Sequence, residues 1–252
     1  MGGIALALYL LTAFFGGVTS GVAGFALGLV VSGVWLHIMS PAHVAFLIAG
    51  SGLVTQTYGI WHLRGSLDWR KAAPFIASGA VGVPIGAALI AVVDPAALKT
   101  TMGVLLVLYG SYGLARPAFK APRSRLSADL GIGFANGLIG GLTGLGGVLV
   151  TLWCQAQGWP KDVQRAAYQP VLLVVLTMSA ASLAFAGAMN AETVKLYLLG
   201  LPALMAGTWV GFRLYGKLDE AAFRKVILVL LLVSGLSLVA PADVLRLILP
   251  PH

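Results

Sequence analysis

The sequence predicts an all-α polytopic membrane protein built from two homologous halves as an inverted repeat, and three observations carry that expectation. The first is composition. Of 252 residues, 59% are hydrophobic and 10% charged, where a soluble domain carries about a quarter charged residues, and mean hydropathy is +0.94. The second is a set of apolar runs that reach the roughly 20 residues needed to cross a hydrocarbon core. Residues 72–93 and 166–191 carry no charge, and residues 1–65 are interrupted only by His37, His43, His62 and Arg64. The third is an internal duplication.

Its first block pairs "GVTSGVAGFALG" (17–28) with "GFANGLIGGLTG" (133–144) without gaps, setting Ser20 on Asn136 and four glycines on four glycines. Pro41 then pairs with Pro160, and "GVPIGAALIAVVDPAALKT" (82–100) pairs with "GTWVGFRLYGKLDEAAFRK" (207–225). The halves are residues 1–117 and 126–252, joined by a linker at 118–125, and together they are expected to form a single transmembrane domain.

Taken in order, the N-terminus "MGGIALALYLL" lacks a basic region and a small-residue cleavage site, so it reads as the first membrane element and not as a removed signal. Residues 2–38 form a glycine-rich opening block, followed by plain spans near 41–62, 72–93 and 96–115. Half two repeats this plan with an opening block at 128–155 and spans near 163–185, 194–212 and 226–240, giving about 8–10 membrane segments. The loop at 64–71 is basic and 94–99 balanced, whereas 190–195 is neutral and 213–225 net positive. Equivalent loops therefore fall on opposite sides under the positive-inside rule, which inverts one half relative to the other. Inversion needs an odd number of crossings, so each opening block returns to its starting side, as two short helices broken at glycine or as a re-entrant hairpin. The net charge of +8 sits in short loops and does not point to nucleic acid.

Glycines clustered inside an apolar run weaken a helix by about 1 kcal/mol each against alanine. Small-xxx-small packing explains Gly82/Gly86 and Gly207/Gly211. A broken helix explains residues 133–148 better, since irregular backbone at membrane depth is tolerated where it lines a cavity. A helix starting at such a break directs N–H groups and a positive dipole end inward, which favours a small anion. Asp94, Asp162, Glu192 and Asp219 sit near span ends and Asp129 opens an element, so no deep carboxylate is placed for a metal ion, and no cofactor is expected. The lone Cys154 excludes an internal disulfide and reads as a packing residue.

In both copies the block resembles the glycine-rich signature of the sulfite exporter TauE/SafE family, the TSUP permeases. Half two reads "GLIGGLTGLGG" (137–147), with Pro160 after the second short helix, and the likeness extends over nearly the whole chain. Half one departs from it, with Phe25 and Val30-Val31 where half two has Gly141 and Gly146-Gly147. The resemblance implies an integral membrane permease, in the cytoplasmic membrane of a prokaryote, for sulfur-containing anions such as sulfite, thiosulfate or small organosulfonates.

The expected substrate-binding residues are Ser20, Gly21 and Gly24 at the first break, and Asn136, Gly137, Gly140, Thr143, Gly144 and Gly146 at the second. Ser20, Asn136, Thr19 and Thr143 are equally suited to capping their own helices. Gln56 and Gln169 join the set as costly polar groups inside apolar spans. Arg165 lies one turn before Gln169 and could receive an anion from the basic side, although snorkelling to the interface is the commoner fate of such an arginine. His37, His43, His62 and the tryptophans Trp35, Trp61, Trp69, Trp153 and Trp159 are expected near the interfaces. A passive anion channel is the nearest rival function. An intramembrane enzyme is disfavoured, because the serine of "GVTSG" has no histidine at matching depth to act as its base.

Overall fold

The computed structural model describes residues 3–89, 95–115, 125–143, 147–185 and 189–239, and among these residues it is all-helical. Ten α-helices follow in order: α1 (Gly3–Ala23), α2 (Leu27–Ile38), α3 (Pro41–His62), α4 (Trp69–Leu89), α5 (Pro95–Ala115), α6 (Leu126–Thr143), α7 (Val148–Ala156), α8 (Lys161–Phe185), α9 (Ala191–Lys217) and α10 (Glu220–Val239). Local chemistry sets several boundaries. Pro41 opens α3, where its fixed φ suits a first helical turn. The Asn190 side chain caps α9 by accepting from Thr193 N at 2.8 Å. Gly24, at φ +84°, ends α1, and Gly147, at φ +149°, precedes α7. Only glycine enters that region of φ without strain.

Four stretches, Gly3–Ala23, His43–His62, Lys161–Phe185 and Ala191–Lys217, are long and apolar enough to cross a membrane. Phe15, Leu108, Phe185, Leu198 and Val233 are exposed on the outside, as contact with lipid requires. Each opening block is a helix pair broken at glycine, but the two members are unequal. α1 has 21 residues and α6 has 18, whereas α2 has 12 and α7 has 9. At 1.5 Å per residue, α1 spans about 31 Å and α7 about 14 Å. Each opening block is thus a long helix followed by a short one, where the sequence leaves two short helices or a re-entrant hairpin open.

The principal packing partners are α1 with α9, α4 with α6, α5 with α10 and α3 with α8. Exchanging the halves helix for helix leaves this set unchanged. Glycines make the first two crossings close. A Cβ on Gly207 would collide with the Phe14 carbonyl and one on Gly211 with the Val18 carbonyl. Across the other crossing, Gly82 abuts the Phe134 carbonyl and Gly86 the Leu138 carbonyl. Gly17 lies against the Leu204 carbonyl, and Gly137 against that of Gly79.

These contacts correct the register of the duplication. Phe14 matches Phe134, Gly17 matches Gly137 and Val18 matches Leu138, an offset of 120 where the ungapped sequence pairing gave 116. The helix ends agree, since Ala23 closes α1 and Thr143 closes α6. Glycines recurring every three or four residues let the alignment slide by one turn while keeping three of its four glycine matches. Ser20 is therefore the counterpart of Gly140, and Asn136 that of Gly16.

The two ends of the bundle differ in charge. At one end Lys161 bonds the carbonyls of Tyr215 and Leu218, its backbone N–H donates to Glu220 at 2.7 Å, and Lys71 lies 5.3 Å from the Trp159 ring centre. At the other end Asn190 meets His43 at 2.9 Å. Trp35, expected in an interfacial belt, is wholly buried instead, 4.8 Å from the Tyr9 ring, and donates to Thr12 at 2.9 Å.

Candidate functional site

The last carbonyls of a helix have no partner within it. Where α1 breaks, three side chains from other helices supply the missing donors. Arg165 Nη1 donates to Gly21 O at 2.8 Å and approaches Val22 O at 3.4 Å. Tyr168 Oη donates to Ala23 O and Gln56 Nε2 to Gly24 O, each at 2.5 Å. Gly24 N closes the turn by donating to Ser20 O at 2.7 Å. Gly24 also makes room for Tyr168, whose ring a Cβ there would meet at 2.8 Å. Tyr168 lies seven residues into α8 and Gln56 six before the end of α3. The break is thus about 10 Å in from the basic end of the bundle.

Arg165 dominates the electrostatics. Snorkelling was the commoner expectation, but Arg165 is 0% exposed. Its guanidinium is flanked by the rings of Phe212 and Tyr215, each centred 4.4 Å from Cζ. Nε and Nη2 have no hydrogen-bond partner, and no carboxylate pairs with Arg165 among the described residues. The Asp162 carboxylate, one turn earlier, accepts from Tyr215 Oη instead. A buried cation thus faces the broken end of α1 with two donor nitrogens unused.

The other expected residues are distributed around this centre. Gln169 is buried against Gly59 of α3, and its Oε1 has no partner among the described residues. The same holds for Gln56 Oε1. Asn136 is 1% exposed; its Oδ1 accepts from Val150 N at 3.4 Å, near the start of α7, and its Nδ2 has no partner among the described residues. Gly21 and Gly137 face neighbouring backbones, Gly21 at Thr208 and Gly211 and Gly137 at Gly79. Gly140 is buried within α6. The Thr143 side chain, Gly144 and Gly146 lie outside the described residues. Thr19 bonds the carbonyls of Phe15 and Gly16, and Thr55 that of Gly52, all within their own helices.

The two breaks share surroundings. Ala23 and Ala26 of the first pack in one cluster with Val148 and Leu152 of α7 and with Tyr215. Neither Ala26 before α2 nor Gly147 before α7 offers a side-chain cap to the helix that follows. The starts of α2 and α7 and the Tyr215 ring that stacks on Arg165 therefore meet in one packed cluster. Tyr168, Phe212 and Tyr215 are not singled out in the sequence, and Asp162 only as a carboxylate near a span end. A usable signal was present for Tyr168, which follows Arg165 by three residues on one helix face.

The sequence profile described as "Sulfite exporter TauE/SafE" matches residues 9–238. The chain is 29% identical over 232 residues, 88% of each chain, to a protein of Cupriavidus necator described as "Probable sulfite/organosulfonate exporter TauE". No solved structure matches it.

Proposed function

The chain belongs to the sulfite exporter TauE/SafE family, and from that premise we propose that it carries sulfite, thiosulfate or a small organosulfonate across the cytoplasmic membrane of a prokaryote. It is a membrane transporter and not an enzyme. One observation carries the sign of the substrate: Arg165 is a buried cation with two donors unused among the described residues. Burying an uncompensated charge costs several kcal/mol. The carbonyl end of α1 offsets part of that, as a partial charge of about −0.5. A tetrahedral or pyramidal oxyanion offsets the rest, because a planar guanidinium presents paired N–H groups to two oxygens at once. The uncapped N-termini of α2 and α7 supply donors to the remaining oxygen.

On this reading Ser20, Gly21, Gly24 and Gln56 form the half-one wall of the site. Asn136, Gly137, Gly140, Thr143, Gly144 and Gly146 form the half-two wall, and Gln169 lies between. The halves, 1–117 and 126–252, are an inverted repeat within one domain. The packing pairs are unchanged when the halves are exchanged, as any two-fold repeat requires, and one observation supports the inversion: the loops at 63–68 and 189–190 belong to opposite ends of the bundle. The glycine crossings bind α1 to α9 and α4 to α6 across the halves, giving two stiff units that rock about the site. Tyr215, anchored by Asp162, closes it on the basic side.

Flux of radiolabelled sulfite, thiosulfate, sulfate, sulfoacetate and taurine into proteoliposomes tests the proposal. The expected result is saturable flux of a sulfur oxyanion that Arg165→Gln abolishes. Flux of a cation without any anion dependence contradicts it.

A further inference from the structure

The seam between α3 and α9 carries a groove that the transport site does not use. Leu53, Val54, Thr57, Tyr58 and Trp61 of α3 and Met205 of α9 line an apolar hollow of about 420 Å³ on the outer face. Leu53, Thr57 and Trp61 recur every four residues, as do Met205, Trp209 and Arg213, so each trio follows one helix face. Both tryptophans are largely exposed, Trp61 at 59% and Trp209 at 46%. Each carries an arginine at the mouth of the groove. The Arg64 guanidinium lies 5.5 Å from the Trp61 ring centre and that of Arg213 lies 3.9 Å from the Trp209 ring centre. Phe212 packs on Tyr58 at 5.2 Å, which brings the Arg213 turn of α9 against the groove wall. Both arginines are exposed, and neither has a carboxylate partner among the described residues.

We propose that this groove is a binding site for an anionic phospholipid, one acyl chain lying along Leu53, Thr57 and Met205 and the phosphate held between Arg64 and Arg213. The apolar walls take the chain out of contact with polar groups. The two tryptophans sit at headgroup level, where their amphipathic rings are favoured. A guanidinium stacked on an indole keeps its edge N–H groups available for phosphate oxygens. Charge complementarity selects the lipid, since basic pockets between membrane helices take anionic headgroups. A zwitterionic lipid brings its own ammonium beside the phosphate and gains less.

The test uses purified full-length protein in nanodiscs of phosphatidylcholine with an increasing fraction of phosphatidylglycerol, reading the midpoint of thermal unfolding. Wild type is expected to rise by several degrees with phosphatidylglycerol, and the response to vanish in the double variant Arg64→Gln/Arg213→Gln. Thr57→Trp fills the groove with both charges intact and is expected to flatten the response too, which keeps the test decisive if the double variant folds poorly. Arg70→Gln, an exposed charge elsewhere at the basic end, is expected to respond as wild type. A wild type indifferent to phosphatidylglycerol, an unchanged response in Thr57→Trp, or a loss in Arg70→Gln as large as in the double variant overturns the proposal.

Discussion

The two helix breaks have diverged in what holds them. The break in half one is fastened by long polar side chains from elsewhere: Arg165 and Tyr168 of α8 and Gln56 of α3 satisfy four successive carbonyls. Among the described residues, the break in half two is bridged by its own first helix, where Asn136 Oδ1 accepts from Val150 N at 3.4 Å. Carrying the pairing of Pro41 with Pro160 along α3 and α8 sets Phe46 opposite Arg165 and Ala49 opposite Tyr168. Half two therefore supplies the cation that closes the break of half one, and half one has Phe46, not a cation, at the equivalent position. A duplicated scaffold with one charged break is suited to holding a single anion off its symmetry axis.

The largest effect is expected at the cation. Arg165→Gln removes the charge and uncaps Gly21 and Val22, and transport should fall roughly 100-fold or more, on the scale of lost charge-assisted hydrogen bonds. Flux per molecule of protein in the membrane reads this directly. Equal flux in Arg165→Gln and wild type would erase the contrast between the breaks.

The glycine crossings come next, and there the halves should behave alike. A Cβ at Gly86 or Gly211 meets a backbone carbonyl and not a yielding side chain. Gly86→Ala and Gly211→Ala should each cost about 2 kcal/mol, typical of overpacking. Closely matched losses in thermal stability in detergent support the 120-residue register, whereas a mild Gly86→Ala beside a severe Gly211→Ala breaks it.

Smaller effects separate the breaks again. Tyr168→Phe should cost about 1 to 2 kcal/mol, because it strands the buried Ala23 carbonyl. Asn136→Ala should cost about 1 kcal/mol or less in stability, since its bond to Val150 is long. Thr19→Ala should stay within about 0.5 kcal/mol, the range of changes that leave no buried group unpaired.

Part of this was legible in the sequence. Apolar runs located four stretches long and apolar enough to cross a membrane, and glycines located the breaks. Register was not legible, because a motif with period four matches itself one turn away, and only the carbonyls opposite Gly17, Gly86 and Gly211 fix it. The burial of Arg165 was hidden for a different reason. It follows Lys161 and Asp162 closely, so it reads as part of a charged helix end, and the carbonyls it serves lie 144 residues earlier. Asn136 and Gln169 were visible as polar groups in apolar surroundings. What each touches depends on helix pairing that no local pattern encodes.

The central claim is that the anion is held by Arg165 at the broken end of α1. Equilibrium binding of thiosulfate and sulfite to the purified protein, by calorimetry on wild type and Arg165→Gln, tests it most directly. Circular dichroism and a monodisperse elution profile establish that the variant is folded. The account predicts binding to wild type that weakens by at least tenfold in the folded variant, about 1.4 kcal/mol. A folded Arg165→Gln that binds the same anions as tightly as wild type contradicts it.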